Sequence, residues 1–225
     1  MAEYDHSACI AEYESNSEKR ERILNELRGI VIASGSALEG NCFYFHGTLD
    51  RYSSLYTKQV NLFWAGKQAT TRICEIGLNA GHSAMLLLLG RDSMPLEFTV
   101  FDVGWHPYTK PALQYLKTVF PHVAFEYIEG DSIKTMTDVI RSDPFNRISR
   151  YDVVHVDGGH SEECIQNDMK NANLLVRHGG IIIVDDTNDE HINKYVDIYI
   201  SSGNYQEINI MKTEGYRHRI IRRIR

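Results

Sequence analysis

The chain has 225 residues, 43% of them hydrophobic and 24% charged, with a formal net charge of −6. That length supports one sizeable core or at most two small ones, and the balance excludes a disordered, collagenous or coiled-coil chain. The acidic surplus argues against a dedicated nucleic-acid binder, which carries a basic face, so no nucleic-acid partner is expected.

From Glu18 to Ala33 the apolar residues Ile23, Leu24, Leu27, Ile30 and Val31 keep helical spacing, until Gly35 and Gly40 break the pattern. An aromatic segment, Phe43-Tyr44-Phe45, follows, and a second helix is predicted from about Ser53 to Gly66, with Tyr56, Val60, Phe63 and Trp64 on one face. Together, residues 1–69 read as an N-terminal helical cap belonging to the same domain as the remainder, 70–225. The acidic N-terminus lacks the apolar core of a signal peptide, and no apolar run approaches the ~18 residues that span a bilayer. Cys9, Cys42, Cys74 and Cys164 are scattered with no CxxC pair, as in a reducing compartment, so a cytoplasmic location is expected and a disulfide framework is not.

After Thr70 strands and helices alternate. Strands are predicted at 72–76, 97–102, 124–129, 152–156 and 181–184, and helices at 82–90, 111–120, 132–141, 161–176 and 189–202. Near-continuous apolar strands joined by helices mean right-handed crossovers and a parallel sheet covered on both faces. Two final runs, 205–211 and 216–224, joined around Glu214-Gly215, should form an antiparallel hairpin. The predicted fold is therefore α/β: a Rossmann-like, doubly wound seven-stranded sheet of five parallel strands plus a C-terminal antiparallel hairpin. The arginines of the last segment (Arg217, Arg219, Arg222, Arg223, Arg225) read as the solvated face of an edge strand. The cap and the hairpin offer a face for a homodimer.

In such a sheet ligands bind beyond the carboxyl ends of the strands. The first strand ends in Glu75-Ile-Gly77-Leu-Asn79-Ala-Gly81-His-Ser83, where glycines permit a tight turn and close approach of a ligand. The third glycine of a dinucleotide fingerprint is missing, which disfavours NAD, and the acid before the first glycine suits a ligand carrying a cation. Capping of a neighbouring helix by Glu75 is the lesser alternative. Asp102, at the end of the second strand, can accept two hydrogen bonds from ribose hydroxyls. Asp131 and Ser132, after the third, could reach an adenine amino group, although Asp131 has as good a claim to be a helix N-cap. The fourth strand ends in Val156-Asp157-Gly158-Gly159-His160 and the fifth in Val184-Asp185-Asp186-Thr187-Asn188. Three carboxylates (Asp157, Asp185, Asp186) brought together raise one another's pKa unless a cation compensates, and oxygen ligands favour a hard cation such as Mg²⁺. Capping of the next helix by Asp186, and a purely structural His160, stand as the alternatives.

The ordered motifs EIGLNAGHS, FDVGWHPY, GDS, VDGGH and GGIIIVDD, spread over roughly Lys58 to Asn188, resemble those of class I S-adenosylmethionine-dependent methyltransferases. They are most similar to the branch with macrocin O-methyltransferase-like and catechol or caffeoyl-CoA O-methyltransferase-like enzymes. The resemblance implies that Glu75, Gly77, Asn79 and Gly81 form the loop holding the methionine part of the cofactor, with Ser83 near its carboxylate. By the same token Asp102 would bind ribose, Asp131 and Ser132 adenine, and Asp157, Asp185 and Asp186 a divalent metal. Here the third metal position is Asp where the catechol and caffeoyl-CoA enzymes have Asn. His160 matches a histidine proposed as general base in macrocin-like relatives, and Asp157 would serve cofactor, metal and catalysis together. The expected activity is metal-assisted O-methylation of a small hydroxylated molecule. Metal-independent methylation of nitrogen or another acceptor, a silent cofactor-binding scaffold, and an NAD-dependent oxidoreductase remain open. The cap residues His46, Arg51, Tyr52 and Lys58, with Trp105 and His106, could face the acceptor.

Overall fold

The computed structural model describes residues 4–45, 47–91, 94–212 and 217–225. Strands β1 (Arg72–Ile76), β2 (Leu96–Asp102), β3 (Val123–Glu129), β4 (Tyr151–Val156), β5 (Val176–Val184), β6 (Tyr205–Glu207) and β7 (Arg219–Arg223) form one sheet in the order β3-β2-β1-β4-β5-β7-β6. The first five are parallel, while β7 pairs antiparallel with both β5 and β6. This is the predicted sheet, with the chain order reversing between β1 and β4. β5 begins earlier than predicted, because Val176 already pairs with Tyr151 before the register shifts ahead of Val153. The hairpin strands are shorter than predicted, and the turn expected around Glu214-Gly215 lies outside the described residues.

The reading of the arginine-rich segment as an edge strand needs correction, since β7 lies between β5 and β6. Its arginines reach sideways instead. Arg219 donates to Glu207 and Asp197, and Arg223 donates to the carbonyls of Asn173 and Val176.

Helices α1 (His6–Ser15), α2 (Ser17–Ser34) and α3 (Tyr56–Gln68) precede the sheet. α1 was not predicted, because only Cys9 and Tyr13 in it are buried and the polar residues around them hide the period. A short 3-10 turn, Ser53–Leu55, opens the predicted second helix, and Gly35 ends α2 in the left-handed region at φ 70°. α3 is buried along every residue from Lys58 to Gly66, where a single apolar face was expected. It packs directly on α4 (His82–Arg91): a Cβ at Gly66 would lie 1.9 Å from the Leu87 carbonyl oxygen, and one at Gly90 would lie 1.9 Å from that of Phe63. Val60, Leu62 and Phe63 therefore share one hydrophobic core with Ile73, Val153 and Ile183 of the sheet, so the residues before β1 are built into the core. The remaining crossovers are α5 (Thr109–Val119), α6 (Ser132–Ser142), α7 (Pro144–Arg147), α8 (Glu162–Leu175) and α9 (Glu190–Ser201). Among the described residues no helix is long and apolar enough to cross a membrane, and all four cysteines are free thiols.

At the end of the sheet opposite the carboxyl ends of the parallel strands, Asp152 fastens β1 to β4. Its buried carboxylate accepts from the backbone N–H groups of Thr70, Thr71 and Arg72 and from Arg177 Nε. Burial resists its ionisation, but these donors outweigh burial and draw its pKa down to about 2. A depressed carboxylate stabilises the fold above its unfolded pKa and loses that contribution as pH falls toward the folded one. Asp152→Asn is therefore expected to cost about 2 kcal/mol at pH 7. The variant and the parent should converge between about pH 4 and the folded pKa of about 2, which urea melts at neutral and acidic pH would read.

Candidate active site

A cavity of about 550 Å³ opens over the carboxyl ends of β1, β2, β4 and β5, at the reversal of strand order. Its floor is the turn after β1. Gly77 sits at φ 88° with its Cα packed on the next strand end, so that a Cβ there would lie 2.0 Å from the carbonyl oxygen of Asp157. Asn79 also has a positive φ, 53°, and its amide donates to the carbonyls of Glu39 and Gly40, tying the turn to the segment before α3. Asp102 holds the same turn: Oδ2 accepts from the N–H groups of Leu78 (2.8 Å) and Asn79 (3.0 Å), and Oδ1 from Gly104 (2.7 Å). The acid expected to meet ribose thus already shapes the loop, while it still lines the cavity.

Ser83, Asp131 and Ser132 line the cavity as well. Asp131 is the N-cap of α6, accepting from Ile133 N–H at 3.0 Å, so the capping alternative holds and the residue faces the cavity too. Two residues of the expected loop set lie elsewhere. Glu75 is fully buried within the sheet, because the parallel register places it beside His155, whose Nδ1 is 3.0 Å from its carboxylate. Gly81 turns the chain into α4 and faces Leu116 of α5.

The ends of β4 and β5 meet as the sequence implied, with the Asp157 N–H bonded to Ile76 O and the Asp185 N–H to Val156 O. The three expected metal carboxylates nevertheless divide. Asp157 gathers with His160 and Asp186 in one group whose ligand atoms lie within 4.8 Å of one another, and with His155 and Asp185 in another. His160 Nε2 is 2.8 Å from Asp186 Oδ2, and this hydrogen bond raises the imidazole's pKa. Asp186 adopts φ 50°, which turns it away from its neighbour Asp185. Asp185 is instead paired with Lys58 of α3, and both are buried. Burial resists the ionisation of Asp185, but the ammonium overcomes it and holds the carboxyl below its ordinary range. Asp157 goes the other way: burial and the Asp185 carboxylate push it well above that range, against the pull of Lys58.

Of the six residues expected to face the acceptor, Lys58 is the one bound into the carboxylate cluster. Trp105 and His106 line the cavity with it, Trp105 being 82% exposed; Arg51 and Tyr52 do not, and His46 lies outside the described residues. Arg51 pairs with Glu21 at the surface, and Tyr52 packs edge-on against Phe45.

A seven-stranded sheet whose last strand runs antiparallel, with an acid-rimmed cavity over a glycine turn, defines a class I methyltransferase fold. The chain belongs to the methyltransferase domain family, whose model matches residues 74–187. Among solved structures it is similar to the O-methyltransferase from Bacillus cereus in complex with SAH, at 15% identity over 91% of both chains and a TM-score of 0.63. The O-methyltransferase TomG from Streptomyces achromogenes, involved in tomaymycin synthesis and bound to SAM, is 18% identical over 77% of this chain and 82% of that one (TM-score 0.56). The N-methyltransferase NodS from Bradyrhizobium japonicum, bound to SAH, is 15% identical over 86% and 98% (TM-score 0.53). No curated protein sequence matches the chain.

Proposed function

We propose that this protein transfers the methyl group of S-adenosylmethionine to a hydroxyl oxygen of a small molecule, assisted by a hard divalent cation such as Mg²⁺. The observation that carries the reading is the meeting of Asp157, His160 and Asp186 at the mouth of a cavity floored by the glycine turn. The cavity's size lies within the range of small-ligand sites of ~300–1,000 Å³. Its carboxylates favour a sulfonium cation, and Asp102, Asp131 and Ser132 offer hydrogen-bonding groups to a nucleoside.

The donor set fits a divalent ion. Lys58 pairs with Asp185, while Asp157 and Asp186 share the outer group with His160, and among the described residues no lysine or arginine is paired with either. Oxygen donors of this kind suit Mg²⁺ or a similar hard cation, with Asp157 and Asp186 holding it. When bound, the cation supplies positive charge that lowers the acceptor hydroxyl's pKa and orients it. The protein's own groups do the rest. The glycine turn and the strand tips hold donor and acceptor in line, worth several orders of magnitude when the reacting atoms approach within about 3–3.5 Å. Donation from His160 Nε2–H to Asp186 leaves Nδ1 as the basic nitrogen. There His160 accepts the proton given up by the hydroxyl as its oxygen takes the methyl group, the C–S electron pair remaining with sulfur.

Calorimetry with S-adenosylhomocysteine, followed by a methyl-transfer screen against hydroxylated small molecules with and without Mg²⁺, tests the proposal. Binding is expected, together with transfer that EDTA suppresses and Mg²⁺ restores. Full activity after verified metal removal would take the cation out of the reaction, and absence of S-adenosylhomocysteine binding would sink the whole reading.

A further inference from the structure

Two groups of ligand atoms share Asp157, and only the inner one has a lysine ammonium paired with one of its members. Lys58 rises from α3, a helix with no solvent face over its middle turns, and is 3% exposed. An ammonium is retained at such a place only when anions compensate the loss of water. Its partner is Asp185, and the Asp157 carboxylate acts on it as well. The same inner group holds two buried polar atoms without hydrogen-bond partners, Asp185 Oδ1 and His155 Nε2. Two carboxylates and an imidazole nitrogen within 4.8 Å of one another form a ligand set suited to a transition metal such as Mn²⁺.

We infer that Lys58 is a built-in cation that keeps a metal ion out of the His155–Asp157–Asp185 group and confines it to the Asp157–Asp186 side. Lys58 is thus a positioning residue: it selects which of two overlapping carboxylate groups serves the reaction. The inference rests on the metal-assisted reading above, and its test does not depend on turnover. A lysine acting only as a structural staple between α3 and β5 would leave metal affinity unchanged when replaced.

Mn²⁺ binding to the full chain, followed by calorimetry and electron paramagnetic resonance, distinguishes the two. Lys58→Met should bind Mn²⁺ at least roughly tenfold more tightly than the parent, or take up a second ion, because one nearby positive charge is gone. Lys58→Met/Asp185→Asn removes both charges and should return to within about threefold of the parent, since the net field on Asp157 and Asp186 is restored. If Lys58→Met does not fold, Lys58→Gln keeps a donor for Asp185 while removing the charge. Unchanged or weaker Mn²⁺ binding in the charge-removed single variant, with the parent binding normally, overturns the role of Lys58 and leaves the metal reading standing. A parent that binds no Mn²⁺ beside a Lys58→Met variant that does would support Lys58 as the resident cation while removing the metal from the native reaction. Absence of binding in every form overturns both.

Discussion

Replacing Asp157 by alanine should lower methyl transfer by about 10³-fold, while part of the S-adenosylhomocysteine binding survives. Asp157 is the one carboxylate common to both ligand groups, so its removal disables either position for a cation. It is also the acid left most strained by its surroundings, pushed well above its ordinary range by burial and by Asp185. Taking it away relieves that repulsion, so the variant should fold at least as stably as the parent. The pairing of unimpaired thermal stability with lost turnover is the diagnostic outcome. A variant that keeps more than a tenth of the parental rate in the presence of Mg²⁺ would show that neither group holds the catalytic ion.

Gly77→Ala should be as damaging for a different reason. Its Cβ would lie 2.0 Å from the Asp157 carbonyl oxygen, a backbone atom that cannot move without parting β1 from β4. The positive φ of 88° adds strain for any residue with a side chain. Together these are expected to cost about 3 kcal/mol or more of stability. S-adenosylhomocysteine affinity should fall by about two orders of magnitude, because the turn and the neighbouring strand end form one surface. Gly35 supplies the control. It has a similar φ of 70° but nothing within 4 Å of its would-be Cβ, so Gly35→Ala reports backbone strain alone and should cost only about 1 kcal/mol. Chemical denaturation of the two variants side by side separates the clash from the strain.

Most of the sheet was legible because buried parallel strands leave unmistakable apolar runs, and the turns after them carry acids at fixed places. Asp102, Asp131, Asp157, Asp185 and Asp186 could each be assigned to a strand end from sequence, and all five line the cavity. What sequence did not disclose was the direction of each side chain. Glu75 precedes the turn by two residues, yet strand alternation and the register with His155 point it into the sheet. Asp185 and Asp186 are adjacent, but a positive φ at Asp186 sends them to opposite partners. Lys58 stood among six candidate acceptor contacts with nothing to mark it as buried, since a lysine in a helix ordinarily marks the solvent face. The available signal was that its neighbours Val60, Leu62, Phe63 and Trp64 point in too many directions for one apolar stripe, so the helix is enclosed and any charge on it needs a partner. α1 escaped because two buried residues, four apart, are too few to declare a period.

The position of β7 bears on how the molecule assembles during synthesis. Residues 219–223 are made long after β5, yet they fill the place beside it, between β5 and β6. Until they emerge, one flank of β5 along Ile181–Val184 has no hydrogen-bonding partner. A nascent chain would then present a sticky apolar margin to the crowded surroundings of the ribosome, and closure must wait for contacts distant in sequence, which are slow to form. Ribosome-stalled chains ending before Arg219 should accordingly remain protease-sensitive and prone to associate, and protection should arrive abruptly once this last strand clears the exit tunnel.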